Sequence, residues 1–280
     1  MDVSKAIAGG AGACGAGACG AGVGVAGVGV AGVGGPVGVG ASGVGAVGAA
    51  AVGLQASFPE LFWAALDRRR ELVAALLAEN TTAWRCFNGA TEGRPGLTVD
   101  RYGEFLLVLV FFQPLSALER EMLVQYASDE GLRCLIWDRR EESGYRYGEY
   151  RLRETEDEAL SEVEEVEAVG EDAFCWEQGQ RFFVSAVPRA RAKAMDPYFY
   201  LDFRAARRWL RANVGPGSAV LNLFSYTCTA GAAAAAAGAS VVNVDFGRWC
   251  MEVGRKNASL SGLPETRCRF VSEDVFPVIW

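Results

Sequence analysis

The stretch between Ser218 and Asp245 carries the residues best suited to bind a ligand. An apolar run (219–224) ends in a Ser-Tyr-Thr loop (225–227). After an alanine-rich segment, a β-branched run (241–244) ends in Asp245. This order predicts a strand, a loop, a helix and a second strand, and such a unit binds ligands outside the carboxyl ends of its strands. A carboxylate there can accept hydrogen bonds from both hydroxyls of a ribose. The pattern therefore predicts a nucleoside-containing ligand, with helix capping by Asp245 as the alternative.

The loop narrows the choice of nucleoside. It contains neither the G-x-G-x-x-G spacing that holds a pyrophosphate nor the Gly-Lys-Ser/Thr of a P-loop. A ligand without phosphate groups fits this loop better, and S-adenosylmethionine (SAM) is a common one. An NAD-dependent oxidoreductase is the disfavoured alternative, because its glycine fingerprint is missing.

The motifs around this unit resemble a known enzyme family, the class I 23S ribosomal RNA large-subunit methyltransferases I and K/L. They comprise VLNLFSYTC (220–228), NVD (243–245), Asn257 with SGL (261–263), EDVF (273–276), YLDFR (200–204) with Arg207 and Arg208, and FNGATEGRPGLTVDRYG (87–103). The resemblance covers about 58–280. It implies an α/β fold, with the N-terminal half of a Rossmann-like SAM-dependent methyltransferase domain preceded by a small α+β domain. The family usually has glycine where Cys228 stands, so the loop path is open at that position.

The resemblance also implies the residues of a SAM pocket. They are Asp202, Arg204, Asn222, Phe224, Ser225, Tyr226, Thr227, Asp245, Phe246 and Asp274. Within this set, Asp245 would bind the ribose hydroxyls, Phe246 would lie against the adenine ring, and Asp274 would accept from the adenine amino group. Two of these residues have a purely structural alternative: Asp274 could be a helix N-cap, and Asp202 could be stabilised by a helix dipole.

The partner implied by the resemblance is RNA, in particular large-subunit ribosomal RNA. Candidate RNA contacts are Arg85, Arg94, Arg101, Arg139, Arg140, Arg207 and Arg208; each could instead be an ordinary surface arginine. The net charge of −7 does not indicate a nucleic-acid binder. However, ten carboxylates fall within 154–172, so a basic patch can coexist with the acidic total.

Composition excludes several chemistries. The chain has eight cysteines without a C-x-x-C pair and no histidine, so no metal site is predicted and every His-based triad is excluded. The cysteines are expected to be buried thiols in a reducing compartment. Cys228 is the nearest candidate for a nucleophile, but it is expected to be only a small loop residue.

Four regions are predicted along the chain. Residues 1–56 form a Gly/Ala/Val low-complexity extension, predicted to be disordered, and glycine at this density argues against a membrane span. Residues 57–153 form a small α+β RNA-contacting module, and 173–280 form the SAM-binding Rossmann-like domain. Between them, 154–172 is predicted to be an acidic linker, with an amphipathic edge strand as the alternative. The expected location is the cytoplasm, or alternatively a plastid or mitochondrion.

Individual elements follow from apolar periodicity and turn residues. Helices are predicted over 59–79, 116–130 and 198–210. Strands are predicted over 84–87, 97–99, 105–112, 132–137 and 269–272, with a hairpin over 174–184 that bends at Gln178-Gly179.

The resemblance also carries an expectation about the carboxyl end. Only three strands can be counted after Ser218, and the Asn/Asp-Pro-Pro segment that orients the target base in the family is expected beyond Trp280. No catalytic residue is therefore predicted within the chain, and strand 220–224 is expected to keep one edge unpaired. Poor stability and no turnover are expected of this chain by itself. The functional alternative is a non-catalytic RNA-binding or ribosome-assembly protein derived from such an enzyme.

Overall fold

A computed structural model describes residues 56–140, 146–153, 162–166, 172–187 and 197–276 of the chain. The chain divides into two units, Met1–Gln55 and Ala56–Trp280, and all described residues belong to the second. The prediction for the low-complexity extension therefore lies outside the described residues, apart from Ala56. Among the described residues no helix is both long and apolar enough to span a membrane.

The first part of this unit is a six-stranded sheet with helices against it. Its elements are α1 (Phe58–Arg68), α2 (Arg70–Ala78), β1 (Ala83–Asn88), α3 (Gly89–Glu92), β2 (Leu97–Tyr102), β3 (Phe105–Val110), α4 (Ala117–Asp129), β4 (Arg133–Asp138), β5 (Arg146–Arg153) and β6 (Glu162–Val166). The strands lie in chain order, and all pairs are antiparallel except β3 with β4. The helix predicted over 59–79 is two helices, interrupted at Arg69, whose guanidinium bonds to the Ala65 carbonyl and to Glu92.

The acidic segment contains a strand where a linker was expected. β6 pairs antiparallel with β5 at the edge of the sheet. The Arg151 guanidinium donates to Glu164 at 2.5 Å, and the Tyr150 hydroxyl donates to Glu165 at 3.0 Å. Opposite charges that face each other across two strands stabilise the pair. The linker prediction is therefore wrong for Glu162–Val166, where the edge-strand alternative is observed.

A hairpin and a helix connect the two sheets. β7 (Asp172–Glu177) and β8 (Gln180–Ser185) pair antiparallel, and the two residues between them, Gln178 and Gly179, have φ angles of 51° and 73°. Two positive φ angles match the twist of a tight hairpin, which confirms the predicted bend. Helix α5 spans Arg204–Asn213 and so begins six residues later than predicted, after a bent segment that includes Tyr198 at φ 74°.

The last part is a three-stranded parallel sheet in the order β11-β10-β9. Its elements are β9 (Ala219–Leu223), α6 (Thr229–Ala236), β10 (Ser240–Asp245), α7 (Arg248–Leu260), a 3-10 turn (Glu265–Arg267) and β11 (Cys268–Ser272). Among the described residues β9 is an edge strand, as expected. Leu221 on β9 is 47% exposed and Phe224, just after it, is 64% exposed.

The six-stranded sheet is buried on both faces. One face packs beneath α1 and α4 through residues such as Phe62, Leu106 and Leu123. The other face packs against the β7–β8 hairpin, where Leu107 and Trp137 meet Phe182. The hairpin is therefore part of the core, and it gives the loops of the parallel sheet a rigid support.

Candidate functional site

Asp245 lies at the carboxyl end of β10, the middle strand of the parallel sheet. Its carboxylate is nearly buried, and each oxygen accepts one backbone hydrogen bond. The Tyr226 N–H donates to Oδ2 and the Gly247 N–H donates to Oδ1, both at 2.9 Å. A carboxylate offers about four lone-pair positions, so each oxygen can still accept from a ligand hydroxyl. The N-cap of α7 is Gly247, so Asp245 does not itself cap that helix.

The loop after β9 follows an unusual path to reach this carboxylate. Phe224, Tyr226 and Cys228 have φ angles of 52°, 48° and 60°, which are left-handed values at three alternate non-glycine residues. Within this path the Ser225 N–H donates to the Val244 carbonyl and the Tyr226 N–H to Asp245. Backbone strain of this kind is concentrated at functional sites. The left-handed φ of Cys228 is one that glycine adopts without strain, so glycine would suit this position.

A buried asparagine, Asn257, fixes this loop. It belongs to one of the motifs named above, but no role was predicted for it. The Asn257 amide on α7 donates to the Thr227 carbonyl at 2.9 Å and accepts from the Phe183 N–H of β8 at 2.8 Å. Its side chain is fully buried. One turn later, the Ser261 hydroxyl is 3.1 Å from the Arg181 carbonyl of the same strand. Helix α7 therefore joins the hairpin to the loop that holds Asp245.

The predicted loop residues divide into inward and outward side chains. Ser225 and Thr227 are buried, and the Thr227 hydroxyl donates to the Tyr198 carbonyl at 2.7 Å. Phe224 and Phe246 point outward, and Phe246, directly after Asp245, is 81% exposed. The loop thus presents aromatic surface beside the carboxylate while its hydroxyl groups stabilise the loop from within.

Two further predicted residues lie on the neighbouring strands. The Asn222 amide donates to Asn243 on β10 at 2.9 Å, so its observed contact is within the sheet. Asp274 is exposed two residues beyond β11 and accepts from the Phe276 N–H at 3.1 Å. That bond is the capping alternative for Asp274. A capping carboxylate keeps free lone pairs, so it can also bind a ligand.

Comparison with known proteins identifies a similar family. Residues 157–280, somewhat less than half of the chain, match the family model described as S-adenosylmethionine-dependent methyltransferase. This part of the chain is therefore similar to that family.

Relatives of this chain carry names that agree with the resemblance. Ribosomal RNA large subunit methyltransferase I of Aeromonas hydrophila is 30% identical over 216 residues, which cover 72% of this chain and 48% of the relative. The protein of the same name from Escherichia coli SMS-3-5 is 28% identical over 207 residues, with coverages of 72% and 48%. The chain spans about half the length of these curated relatives.

Solved structures confirm the fold class. A protein described as a SAM-dependent methyltransferase from Streptococcus mutans superposes with a TM-score of 0.56 at 23% identity, covering 78% of this chain and 52% of its own. A methyltransferase solved in complex with SAH gives the same TM-score and identity, covering 78% and 51%. The α/β, Rossmann-like architecture predicted for this chain is therefore confirmed.

The two upstream residues of the predicted pocket, Asp202 and Arg204, have their described interactions outside the Asp245 loop. The Arg204 guanidinium donates to Glu177 at 3.1 Å and to the Ala83 carbonyl of β1, so it ties α5 to the hairpin and to the six-stranded sheet. Asp202 is exposed at the start of α5 and adds a small electrostatic contribution to the raised pKa of Arg85, which is due first to the hydrogen bond from Arg85 to Asp100. No described hydrogen bond joins either residue to the Asp245 loop.

Arg207 does not fit the predicted role of an RNA contact. Its side chain is fully buried, and it donates to both oxygens of Glu177, from Nε at 2.6 Å and Nη2 at 2.9 Å. Burial resists ionisation of Glu177, but the hydrogen bonds and charges of Arg207 and Arg204 outweigh it, so the pKa of Glu177 lies below its usual value. The prediction failed because the residue type alone does not reveal burial.

The other predicted RNA contacts lie on or near the surface. Five of them form ion pairs: Arg85 with Asp100, Arg94 with Glu119, Arg101 with Glu130, Arg140 with Asp138, and Arg208 with Glu79. Arg139 lies over the Phe111 ring. A paired arginine must exchange its carboxylate for a phosphate in order to bind RNA, so these contacts stay predictions.

Neither thiol nor metal chemistry is supported at the site. Burial raises the pKa of the Cys228 thiol to about 12, so it is protonated at neutral pH and cannot act as a nucleophile there. Within the described ranges, no group of three or more His, Cys, Asp or Glu side chains could hold a metal ion.

Proposed function

We propose that this chain binds SAM at the Asp245 edge and provides the cofactor-binding part of a methyltransferase that acts on a base of RNA. The observation that carries the proposal is the Asp245 carboxylate, fixed by two backbone N–H groups while each oxygen retains an acceptor position. An acid held in this way at the end of the middle parallel strand suits the two hydroxyls of a ribose.

The residues around Asp245 would hold the remaining parts of the cofactor. Phe246 offers an exposed ring for the adenine, and Asp274 offers a carboxylate for its amino group. Phe224 and Tyr226 lie on the loop side, where the methionine part would bind. When bound, SAM supplies a methyl group on a sulfonium, and these residues orient it and shield it from water.

We propose large-subunit ribosomal RNA as the substrate, because the curated relatives are named for it. The chain would then act where ribosomes are assembled, in the cytoplasm or, alternatively, in a plastid or mitochondrion. Because all six described cysteines are buried, we assign the nucleophilic role to none of them.

Calorimetric titration tests the cofactor assignment. SAM and SAH should bind with 1:1 stoichiometry, and NAD should not bind. Asp245→Asn should weaken SAH at least tenfold, because one N–H acceptor becomes a donor and a ribose acceptor is lost. Asp67→Asn, at an exposed position of helix α1, is the matched control and should leave SAH affinity unchanged. Equal SAH affinity in the wild-type protein and Asp245→Asn would overturn the proposal.

Transfer of a labelled methyl group separates the enzyme from its alternative. Incubation with methyl-labelled SAM and large-subunit ribosomal RNA should label the RNA if the chain supplies a complete reaction. RNA binding with neither SAH binding nor label would favour the non-catalytic RNA-binding function.

A further inference from the structure

The outward side of the β7–β8 hairpin carries aromatic and cationic side chains together. Side chains alternate along a strand, and Phe174 and Trp176 on β7 face the same side as Arg181 and Phe183 on β8. With Lys256 from α7, these residues are called the hairpin face below. The opposite side of the hairpin packs into the core, whereas on the hairpin face Trp176 is exposed and the other members are half-buried.

Arg181 is held by rings on this face. Its Cζ lies 3.8 Å from the Phe174 ring centroid and 5.9 Å from that of Trp176. It forms no ion pair with any acidic residue that the structure describes. In this it differs from the paired arginines at Arg85, Arg94 and Arg140, whose charge is already matched by a carboxylate. A guanidinium stacked on a ring keeps its hydrogen-bond donors available for a phosphate.

Lys256 adds a second cation next to the first. Its Nζ lies 3.8 Å from the Phe183 ring centroid, and the Phe183 and Phe174 rings are 6.4 Å apart. Because the rings already fix both cationic side chains, less side-chain entropy is lost when a ligand binds them. The face therefore carries two positive charges held against aromatic rings, together with the exposed indole of Trp176.

The hairpin face is linked to the Asp245 site. Asn257, the residue after Lys256, accepts from the Phe183 N–H and donates to the Thr227 carbonyl. The residue before Thr227, Tyr226, donates its N–H to Asp245. A strand of nucleic acid on this face would thus lie on elements that are rigidly connected to the proposed cofactor loop.

We propose that the hairpin face binds single-stranded RNA, with Arg181 and Lys256 contacting phosphates and a base stacking on Trp176. The proposal rests on the RNA substrate given under the proposed function, and it adds the surface that holds that substrate. The argument is charge complementarity combined with stacking. Proteins bind single-stranded nucleic acid through a positive surface bearing aromatic side chains.

Fluorescence anisotropy with the full chain and a labelled 12-nucleotide single-stranded RNA tests this surface. The double variant Arg181→Gln/Lys256→Gln should weaken binding about tenfold. It should also flatten the slope of log affinity against log salt by about 0.7 for each cation removed. Trp176→Ala should weaken binding at least fivefold through lost stacking. Arg70→Gln, a change at an exposed arginine on α2, is the matched control and should bind like the wild-type protein.

Further measurements keep the outcomes distinct. Glu252→Gln, one turn before Lys256 on α7, should strengthen RNA binding because it removes a negative charge. SAH affinity should be unchanged in the double variant, so a failure of this surface is separable from a failure of the cofactor site. Unchanged RNA affinity and salt slope in the double variant would overturn the proposal. Equally tight binding of an acidic peptide through the same residues would overturn it in favour of a protein partner.

Discussion

Asn257 is the residue whose contacts bear most directly on the cofactor loop. Its amide satisfies the Thr227 carbonyl and the Phe183 N–H at once, in a fully buried position. Buried polar groups that lose a partner cost about 1 to 3 kcal/mol, so each of these bonds matters for the geometry of the loop.

We expect Asn257→Asp to separate loop position from hairpin attachment. Aspartate retains the acceptor for the Phe183 N–H but loses the donor to the Thr227 carbonyl, so the loop should shift and the SAH dissociation constant should rise about tenfold or more. Ser261→Ala is the matched control, because the described contacts of the Ser261 hydroxyl are with the Gln180 side chain, the Arg181 carbonyl and its own helix, and none is with the loop that holds Asp245. Calorimetry and thermal melting on both variants check this. A Ser261→Ala protein that loses SAH affinity as much as Asn257→Asp would show that Asn257 acts only through stability.

For single residues, the sequence predicted where a residue lies in the fold better than it predicted the burial and partners of its side chain. The position of Asp245 at the end of β10 followed from the βαβ pattern. The burial of Arg207 and the partner of Asn222 could not be predicted from residue type, since both depend on elements distant in sequence. Arg207 meets Glu177 thirty residues away, and Asn222 meets Asn243 on the next strand.

In helix α6, at the scale of an element, helix propensity and close packing favour different residues. It is almost entirely alanine, yet Gly231 lies in its first turns, and a methyl group there would collide with the Asn243 carboxamide oxygen and approach Asn222. Asn243 is fully buried and fixed by hydrogen bonds to Asn222 and the Arg269 carbonyl. Glycine is therefore required by close packing of the helix on the sheet, against its helix propensity.

We predict that Gly231→Ala destabilises the protein by about 2 to 3 kcal/mol, because the buried amides cannot move aside. Helix propensity alone predicts the opposite sign, a gain of about 1 kcal/mol. Urea unfolding followed by circular dichroism measures the difference. Ala236→Gly, at an exposed position of the same helix, should lose about 0.5 to 1 kcal/mol and so verify the propensity scale. A more stable Gly231→Ala variant would contradict this packing.

Elements with local signals were predictable, and elements that depend on partners were not. The hairpin bend followed from Gln178-Gly179, whose positive φ angles suit the tight turn. Strands β5 and β6 lack apolar runs and are held by cross-strand charge pairs such as Arg151 with Glu164. A charged segment becomes a strand only when its partner lies beside it, so the linker prediction failed there.

For the whole molecule, the cluster around Glu177 holds the largest parts together. Glu177 lies on the hairpin, Arg204 and Arg207 lie on α5, and Arg204 also donates to the Ala83 carbonyl at the start of β1. The cluster therefore joins the six-stranded sheet, the hairpin and the helix that leads into the parallel sheet. Its sequence signal was an arginine-rich helix start, which does not reveal this role.

We predict an acid-labile contribution to stability from Glu177. Its pKa in the folded state lies below the usual value of 4.5, so the stabilisation is fully present above that pH and is lost as the pH falls through the lowered folded pKa. Glu177→Gln should cost about 3 to 5 kcal/mol at neutral pH, because Arg207 is left buried without its partner. Its unfolding free energy should also vary less with pH below 4.5 than that of the wild-type protein.

Denaturant unfolding from pH 7 to pH 3 measures both effects. Glu92 and Glu119 also have lowered pKa values. In both, burial is the largest single influence and raises the pKa, but hydrogen bonds, including those from arginines, together outweigh it. Only the difference between variant and wild type therefore isolates Glu177. Parallel pH curves for the two proteins would contradict the assignment.

The distribution of thiols has a practical consequence for following how this fold opens. Cys86 and Cys134 lie in the six-stranded sheet, Cys175 lies in the hairpin, and Cys228, Cys250 and Cys268 lie around the parallel sheet. These six described cysteines are all buried in the folded protein. A thiol-alkylating reagent would consequently mark each region only when that region separates from its neighbours. Peptide mapping of the alkylated sites over time would give the order of opening without adding any external probe.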